Sequence, residues 1–239
     1  MTRRLTNAIT LLGIYLVFSS NAFAQLKDNL ELNLFGAGSV HTKNQYEIGF
    51  PQSAVPIPGE LRIQAHARFG TRLGVFTRGH WGQEFFYSFE PNRMRISQGG
   101  ALPSRTDIHL GIHNYGINAL YYPRETESHV FQPFLSAGIG GTLYHISHDS
   151  VTNLRDPSRG NLPDMDNANE LAFNFGLGFK TRSTGRVGLR VDLRDYVGRS
   201  PSFGLERRSN VATDTVLPAT GVIHNGELSV GLVFYFGRR

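Results

Sequence analysis

Apolar and polar side chains alternate along most of this chain with a period of two. In ELRIQAHARFGTRLGVF, Leu61, Ile63, Ala65, Ala67, Phe69, Leu73 and Val75 fall on one side, and Arg62, Gln64, His66, Arg68 and Arg72 on the other. A helix would mix the two sets on every face, so the pattern predicts a strand running from Leu61 to Val75. Such a strand exceeds the usual length of ~5–6 residues.

The same alternation recurs. Leu30, Leu32 and Leu34 oppose Glu31 and Asn33; Phe85, Tyr87 and Phe89 oppose Glu84 and Ser88; Ile108, Leu110 and Ile112 oppose His109 and His113. Phe131, Leu135, Ala137 and Ile139 oppose Gln132 and Ser136, while Leu171, Phe173, Phe175, Leu177 and Phe179 oppose Asn174 and Lys180. Val187, Leu189, Val191 and Leu193 oppose Arg190, Asp192 and Arg194, and a last strand ends the chain in SVGLVFYFGRR. The reading is about eight strands, with no internal helix of convincing period.

The connections alternate in length. His41 to Gly59, Pro91 to Thr106, His145 to Asn169 and Val197 to Asn225 are long; Arg78 to His80, Pro123 to His129 and Thr181 to Arg186 are short. In an up-and-down sheet the four long connections then leave from one end. A closed membrane barrel predicts this asymmetry, with short periplasmic turns and longer extracellular loops.

Period alone does not say which face meets which solvent. The N-terminus does bear on it: Arg3 and Arg4 precede an apolar run from Ala8 to Phe18, followed by Ala22-Phe23-Ala24, a small-x-small cleavage pattern. The apolar run is shorter than the ~20 residues that a membrane-spanning helix needs. Residues 1–24 therefore read as a secretory signal peptide and residues 25–239 as one barrel domain. With export, long strands and aromatic strand ends taken together, the apolar face reads as lipid-facing, because every backbone donor in lipid must pair and only a closed barrel does this with strands. The fold class is all-β: a closed antiparallel up-and-down transmembrane barrel of about eight strands.

Composition narrows the picture further. The chain holds no cysteine, so neither a disulfide framework nor a lipoprotein anchor is available. Its formal charge of +5 includes Arg3 and Arg4, and the remainder is too scattered to argue for nucleic acid.

The segment SVGLVFYF resembles the C-terminal signal by which outer-membrane barrels are recognised for insertion, with Ser229, Gly231, Phe234 and Phe236 in its positions. The tail Gly237-Arg238-Arg239 departs from it, since such chains commonly stop on the aromatic. With VGLRVDLRDY, Val187 to Tyr196, as its seventh strand, the whole mature chain resembles the small eight-stranded barrels of the OmpA-like outer-membrane superfamily, without a peptidoglycan-binding domain. That resemblance implies location in the bacterial outer membrane and a structural, surface-binding or narrow-pore role. It also implies partners in outer-membrane lipid and lipopolysaccharide, the barrel-assembly machinery, and an extracellular ligand met through loops near Tyr46, Phe50 and Phe203.

Several residues invite chemistry. His145, Ser147 and Asp149 in LYHISHDS suggest an alternative, a lipid A-modifying acyl hydrolase, if the serine finds a base within ~2.6–3.2 Å. A polar loop root is the favoured account. Asp156, Asp164, Asp166 and Asn167 are oxygen ligands without the spacing of a calcium loop. His109 and His113 share a strand face that His66 would join inside the barrel, where interior hydrogen bonding is a commoner role than metal ligation. The reading is non-enzymatic, with no cofactor and no metal.

Eight strands enclose a lumen that side chains fill. The alternation assigns Glu31, Arg62, His66, Arg68, Glu84, Lys180, Arg190, Asp192 and Arg194 to it, a set with more cations than carboxylates. An unpartnered buried ion costs several kcal/mol, so Glu31, Glu84 and Asp192 should each meet an arginine across neighbouring strands.

Overall fold

The computed structural model describes residues 30–42, 45–48, 59–64, 66–76, 79–98, 104–124, 130–155, 164–181, 186–209, 216–218 and 221–236. The signal segment, Phe50, Asp156 and the tail from Gly237 lie outside them. Among the described residues there are ten strands: β1 Leu30–His41, β2 Gln45–Ile48, β3 Gly59–Ile63, β4 Ala67–Phe76, β5 Trp81–Gln98, β6 Ser104–Tyr121, β7 Phe131–Ile146, β8 Ala168–Thr181, β9 Val187–Arg199 and β10 Val222–Phe236. A helix, α1, spans His148–Arg155.

All strand pairs are antiparallel, and β1 pairs with both β4 and β10, which closes the cylinder. Both β3 and β4 pair with β5, so they are two halves of one barrel strand and the wall has eight strands. β4 covers β1 as far as Gly38, and beyond the break β3 pairs with β5 and with the short β2. Among the described residues no helix is long and apolar enough to cross a membrane.

The break between β3 and β4 corrects the strand expected from Leu61 to Val75. Phe69 faces Phe89 but Ile63 faces Met94, a register shift of one residue. One inserted residue turns every side chain beyond it to the other face. Ile63 is therefore buried inside, and Arg62, expected in the lumen, is exposed. His66, also expected there, sits half-buried at the break itself. The Asn92 amide repairs the ladder by donating to Gln64 O at 2.7 Å and accepting from Gln64 N at 3.3 Å. Ser39 donates from both N and Oγ to His66 O.

Along the barrel axis the inward face changes character. On β6 the inward residues run Ile108, Leu110, Ile112, then Asn114 and Asn118, then Leu120. Outward on the same strand lie Asp107, His109 and His113, followed by Tyr115, Ile117 and Tyr121. The barrel thus has a water-facing storey with an apolar inside above a membrane storey with a polar inside. The apolar set Ile108, Leu110 and Ile112 packs inward, and His109 and His113 face out of the barrel, which corrects their expected interior placement.

The connections differ accordingly. Pro91 to Thr106 is mostly strand, since β5 continues to Gln98 and β6 resumes at Ser104. The third long connection holds α1. Its eight residues are too few to show a helical period in sequence, but Ser147 caps it, with its carbonyl accepting from Val151 N at 3.0 Å. The third and fourth connections fold over the mouth: Leu154, Met165, Phe203, Leu205 and Leu217 pack on Ile63, Met94, Ile96, Ile108 and Leu110. Phe203, expected to meet a ligand, is fully buried edge-on to Tyr144 at 5.7 Å. Its φ of 51° is a left-handed conformation costing a bulky residue ~1–2 kcal/mol, which burial of the ring offsets.

Candidate functional site

The lumen is where the chemistry of this chain concentrates. In the membrane storey the inward side chains of β1, β4, β5, β8, β9 and β10 include five cations, Arg68, Arg72, Lys180, Arg190 and Arg194, and five carboxylates, Glu31, Glu84, Glu90, Asp192 and Glu227. None is more than 2 % exposed. The alternation places them there: in Arg190-Val-Asp192-Leu-Arg194, charges at every second position share one face of β9 while Val191 and Leu193 face out.

The ion pairs form one continuous chain across the barrel. Arg68 donates to Glu90 at 2.7 Å and to Glu227 at 2.8 Å. Glu227 also accepts from Arg72 at 2.8 Å, and Arg72 reaches Asp192 at 3.1 Å. Asp192 lies between Arg190 at 2.9 Å and Arg194 at 3.0 Å. Both arginines also hold Glu84, at 2.6 and 2.8 Å. Lys180 donates to Glu31 at 2.8 Å, and Arg190 stands 3.8 Å from the other oxygen of Glu31. His41 extends the chain beyond Glu90 at 3.3 Å.

Neutral groups complete it. Arg72 also donates to Asn33 Oδ1 and Ser229 Oγ, and Arg68 to Asn225 Oδ1. The Arg72 guanidinium lies 3.6 Å over the ring of Phe35, and that of Arg190 4.6 Å from the centre of the Phe134 ring. Phe35 is flanked by glycine backbone on both sides. A Cβ on Gly70 would run into its Cζ, and one on Gly231 would lie 2.7 Å from Phe35 Cβ.

Above the network sits the apolar cap, and below it Leu120, Tyr122 and Phe134 form a second buried cluster. The space between β1, β4 and β9 is therefore occupied by ion-paired side chains, with apolar packing at each end.

Glu31, Arg68, Glu84, Lys180, Arg190, Asp192 and Arg194 meet here as a group, and Arg62 and His66 do not. Arg72, Glu90 and Glu227 belong to the network but lie outside the set expected from the sequence, and they turn a cationic surplus into five against five. Each was within reach of the parity argument. Arg72 shares the face of Arg68, Glu90 that of Glu84 and Ser88, and Glu227 that of Ser229.

The outward face of the same storey is apolar. Leu171, Phe173, Phe175, Leu177, Leu189, Leu193, Leu228, Val230 and Leu232 are each 43–59 % exposed. Trp81 and Tyr121, 5.1 Å apart, and Phe131 and Phe179, also 5.1 Å apart, form aromatic pairs at the end with short turns. Phe69, Tyr87, Phe89 and Tyr115 line the other margin. From Trp81 to Phe89 a strand tilted by ~40° climbs about 20 Å, close to the ~25 Å apolar band of membrane barrels. At the C-terminus Ser229 and Gly231 face the lumen, while Phe236 faces outward.

The serine of the hydrolase alternative is engaged elsewhere. Ser147 Oγ donates to Ser150 Oγ at 2.8 Å inside the cap of α1, and His145 points outward with its ring 6.5 Å from that of His113. Neither His145 nor Asp149 is hydrogen-bonded to Ser147 among the described residues. Asp166 and Asn167 serve the fold: Asn167 Oδ1 accepts from Ile146 N, and Asp166 Oδ1 from Asn167 N.

No family model matches this chain, and no curated protein matches it. Among solved structures it is similar to the outer membrane protein OprG from Pseudomonas aeruginosa, with a TM-score of 0.54 at 13% identity, covering 89% of this chain and 98% of that one. It is also similar to the outer membrane protein AlkL, solved by solid-state NMR in DMPC bilayers, with a TM-score of 0.50 at 16% identity, covering 89% and 92%. At these identities the likeness concerns fold: a small eight-stranded outer-membrane barrel.

Proposed function

We propose that this chain is an integral, non-catalytic barrel of the bacterial outer membrane, closed to ions, which reinforces the membrane and presents its upper storey for binding outside the cell. The apolar belt between aromatic margins supports the membrane location. It matches hydrocarbon in height, and a soluble barrel would leave it in water at large cost. The observation that carries the closed reading is the ten-membered ionic network. Each charge in it is held by partners on other strands, so opening a path would strip partners from buried ions. Outer-membrane lipid and lipopolysaccharide surround the belt in this reading, the barrel-assembly machinery inserts it, and an extracellular ligand meets the upper storey.

Planar-bilayer recording of the refolded full chain tests this. Small, infrequent conductance is the expected result. Large steady openings like those of a trimeric porin would overturn the filled lumen.

A further inference from the structure

Directly above the aromatic margin, the outer faces of β5, β6 and β7 change from apolar to basic. On β5 the outward residues pass from Phe89 through Pro91 to Arg93 and Arg95; on β6 from Tyr115 to His113, Gly111 and His109; on β7 from Leu143 to His145. Register brings these together. Arg93 pairs with His109, Phe89 with His113, Gly111 with His145, and Arg62 on β3 with Arg95. Opposed residues on one face hold their Cβ atoms about 4.5–5.5 Å apart.

The patch has a defined floor. His113 packs on Phe89 at 4.9 Å, and its Nδ1 pairs with Tyr87 OH at 2.7 Å. Its Nε2 is thereby turned over Gly111, 3.3 Å from where a Cβ would stand. Gly111 lies between His109, His113 and His145, with the edge of the Phe89 ring 3.1 Å from where its Cβ would stand. Arg95 is tied to Asp107 at 2.9 Å, whereas the exposed Arg93 guanidinium makes no ion pair among the described residues.

Height selects the occupant. Arg93 lies four residues beyond Phe89, about 10 Å further along the membrane normal for a strand tilted by ~40°, and His145 only two beyond Leu143. The interfacial layer extends about 5–8 Å beyond the hydrocarbon on each side, so the Arg93 backbone stands just above it and its long side chain can reach back down to the headgroups, as basic side chains at membrane surfaces do. We propose that Arg93, His109, His113 and His145 form a binding site for a phosphate of the outer-leaflet lipid headgroup, with acyl chains lying on Phe89, Tyr87 and Tyr115. Arg93 supplies the charge and the imidazoles supply N–H donors. The ligand is held from outside the barrel, so the site operates whether or not the lumen conducts.

Native mass spectrometry of the full chain in detergent, titrated with bisphosphorylated lipid A and with its dephosphorylated form, tests the site. At least five-fold tighter binding of the phosphorylated lipid is expected, and R93Q/H109Q/H145Q should lose that preference while retaining the dephosphorylated lipid. Equal affinity of the wild type for both lipids, or an unchanged preference in the variant, would overturn the proposal. Displacement of the lipid by millimolar inorganic phosphate would also overturn it, by making the site one for free anions. Diethyl pyrocarbonate labelling probes the wild type without any substitution: bisphosphorylated lipid A should protect His109 and His145, and unchanged labelling would contradict the site.

Discussion

Replacing Asp192 by Asn isolates what the lumen network contributes. Asp192 meets Arg190 at 2.9 Å, Arg194 at 3.0 Å and Arg72 at 3.1 Å, and with these it is at most 2 % exposed. The amide keeps the volume and one acceptor but removes the charge, leaving five cations against four carboxylates. Breaking a buried pair by removing one partner costs ~3–5 kcal/mol. Arg190 and Arg194 keep Glu84 and Arg72 keeps Glu227, so the lower figure applies. About 3 kcal/mol is roughly a 150-fold fall in the folded-to-unfolded ratio. Trp81, the single tryptophan, faces outward at the short-turn margin and reports unfolding of the barrel from lipid vesicles in guanidinium. Heat-modifiable electrophoretic mobility should still appear in the variant, showing that it inserts. The double variant Asp192→Asn with Arg194→Gln should lose at least ~1 kcal/mol less than the sum of the singles, because groups in one network do not add. A single-variant loss within ~0.5 kcal/mol, the range of ordinary surface substitutions, would refute the network's role, as would strict additivity.

The C-terminal and glycine positions give two more tests. Replacing Phe234 and Phe236 with Ser should cut outer-membrane insertion several-fold with export intact, scored by fractionation, and normal insertion would make this end an ordinary strand. Gly70→Val should lower stability by ~1–3 kcal/mol, because the new side chain meets the Phe35 ring under Arg72, while the companion Phe35→Leu should restore part of that loss in the same unfolding assay.

The alternation of side chains was enough, by itself, to determine a great deal. A residue's parity on a strand decides which face it shares, so Glu31, Glu84, Lys180, Arg190, Asp192 and Arg194 were legible as one inward set and Phe173, Phe175, Leu189 and Leu232 as the opposite one. Connection lengths likewise disclosed an up-and-down barrel with two unlike ends. Parity is local, however, and it fails wherever one residue is inserted. The bulge at Gln64–His66 sent Arg62 outward and Ile63 inward, and no change of residue type around it marks the shift. Nor does parity name the medium at a given height. Ile108 and Leu110 point into the barrel above the membrane, while Ile117 on the same strand points into lipid, because the solvent outside changes along the axis. Partnership lay furthest from the sequence. Arg68 meets Glu227 at a separation of 159 residues, and Arg72 meets Asp192 at 120. Which charges balance depends on how β1, β4, β9 and β10 register as the cylinder closes, and closure joins β1 to β10 across about 200 residues of sequence, a relation that no local stretch contains.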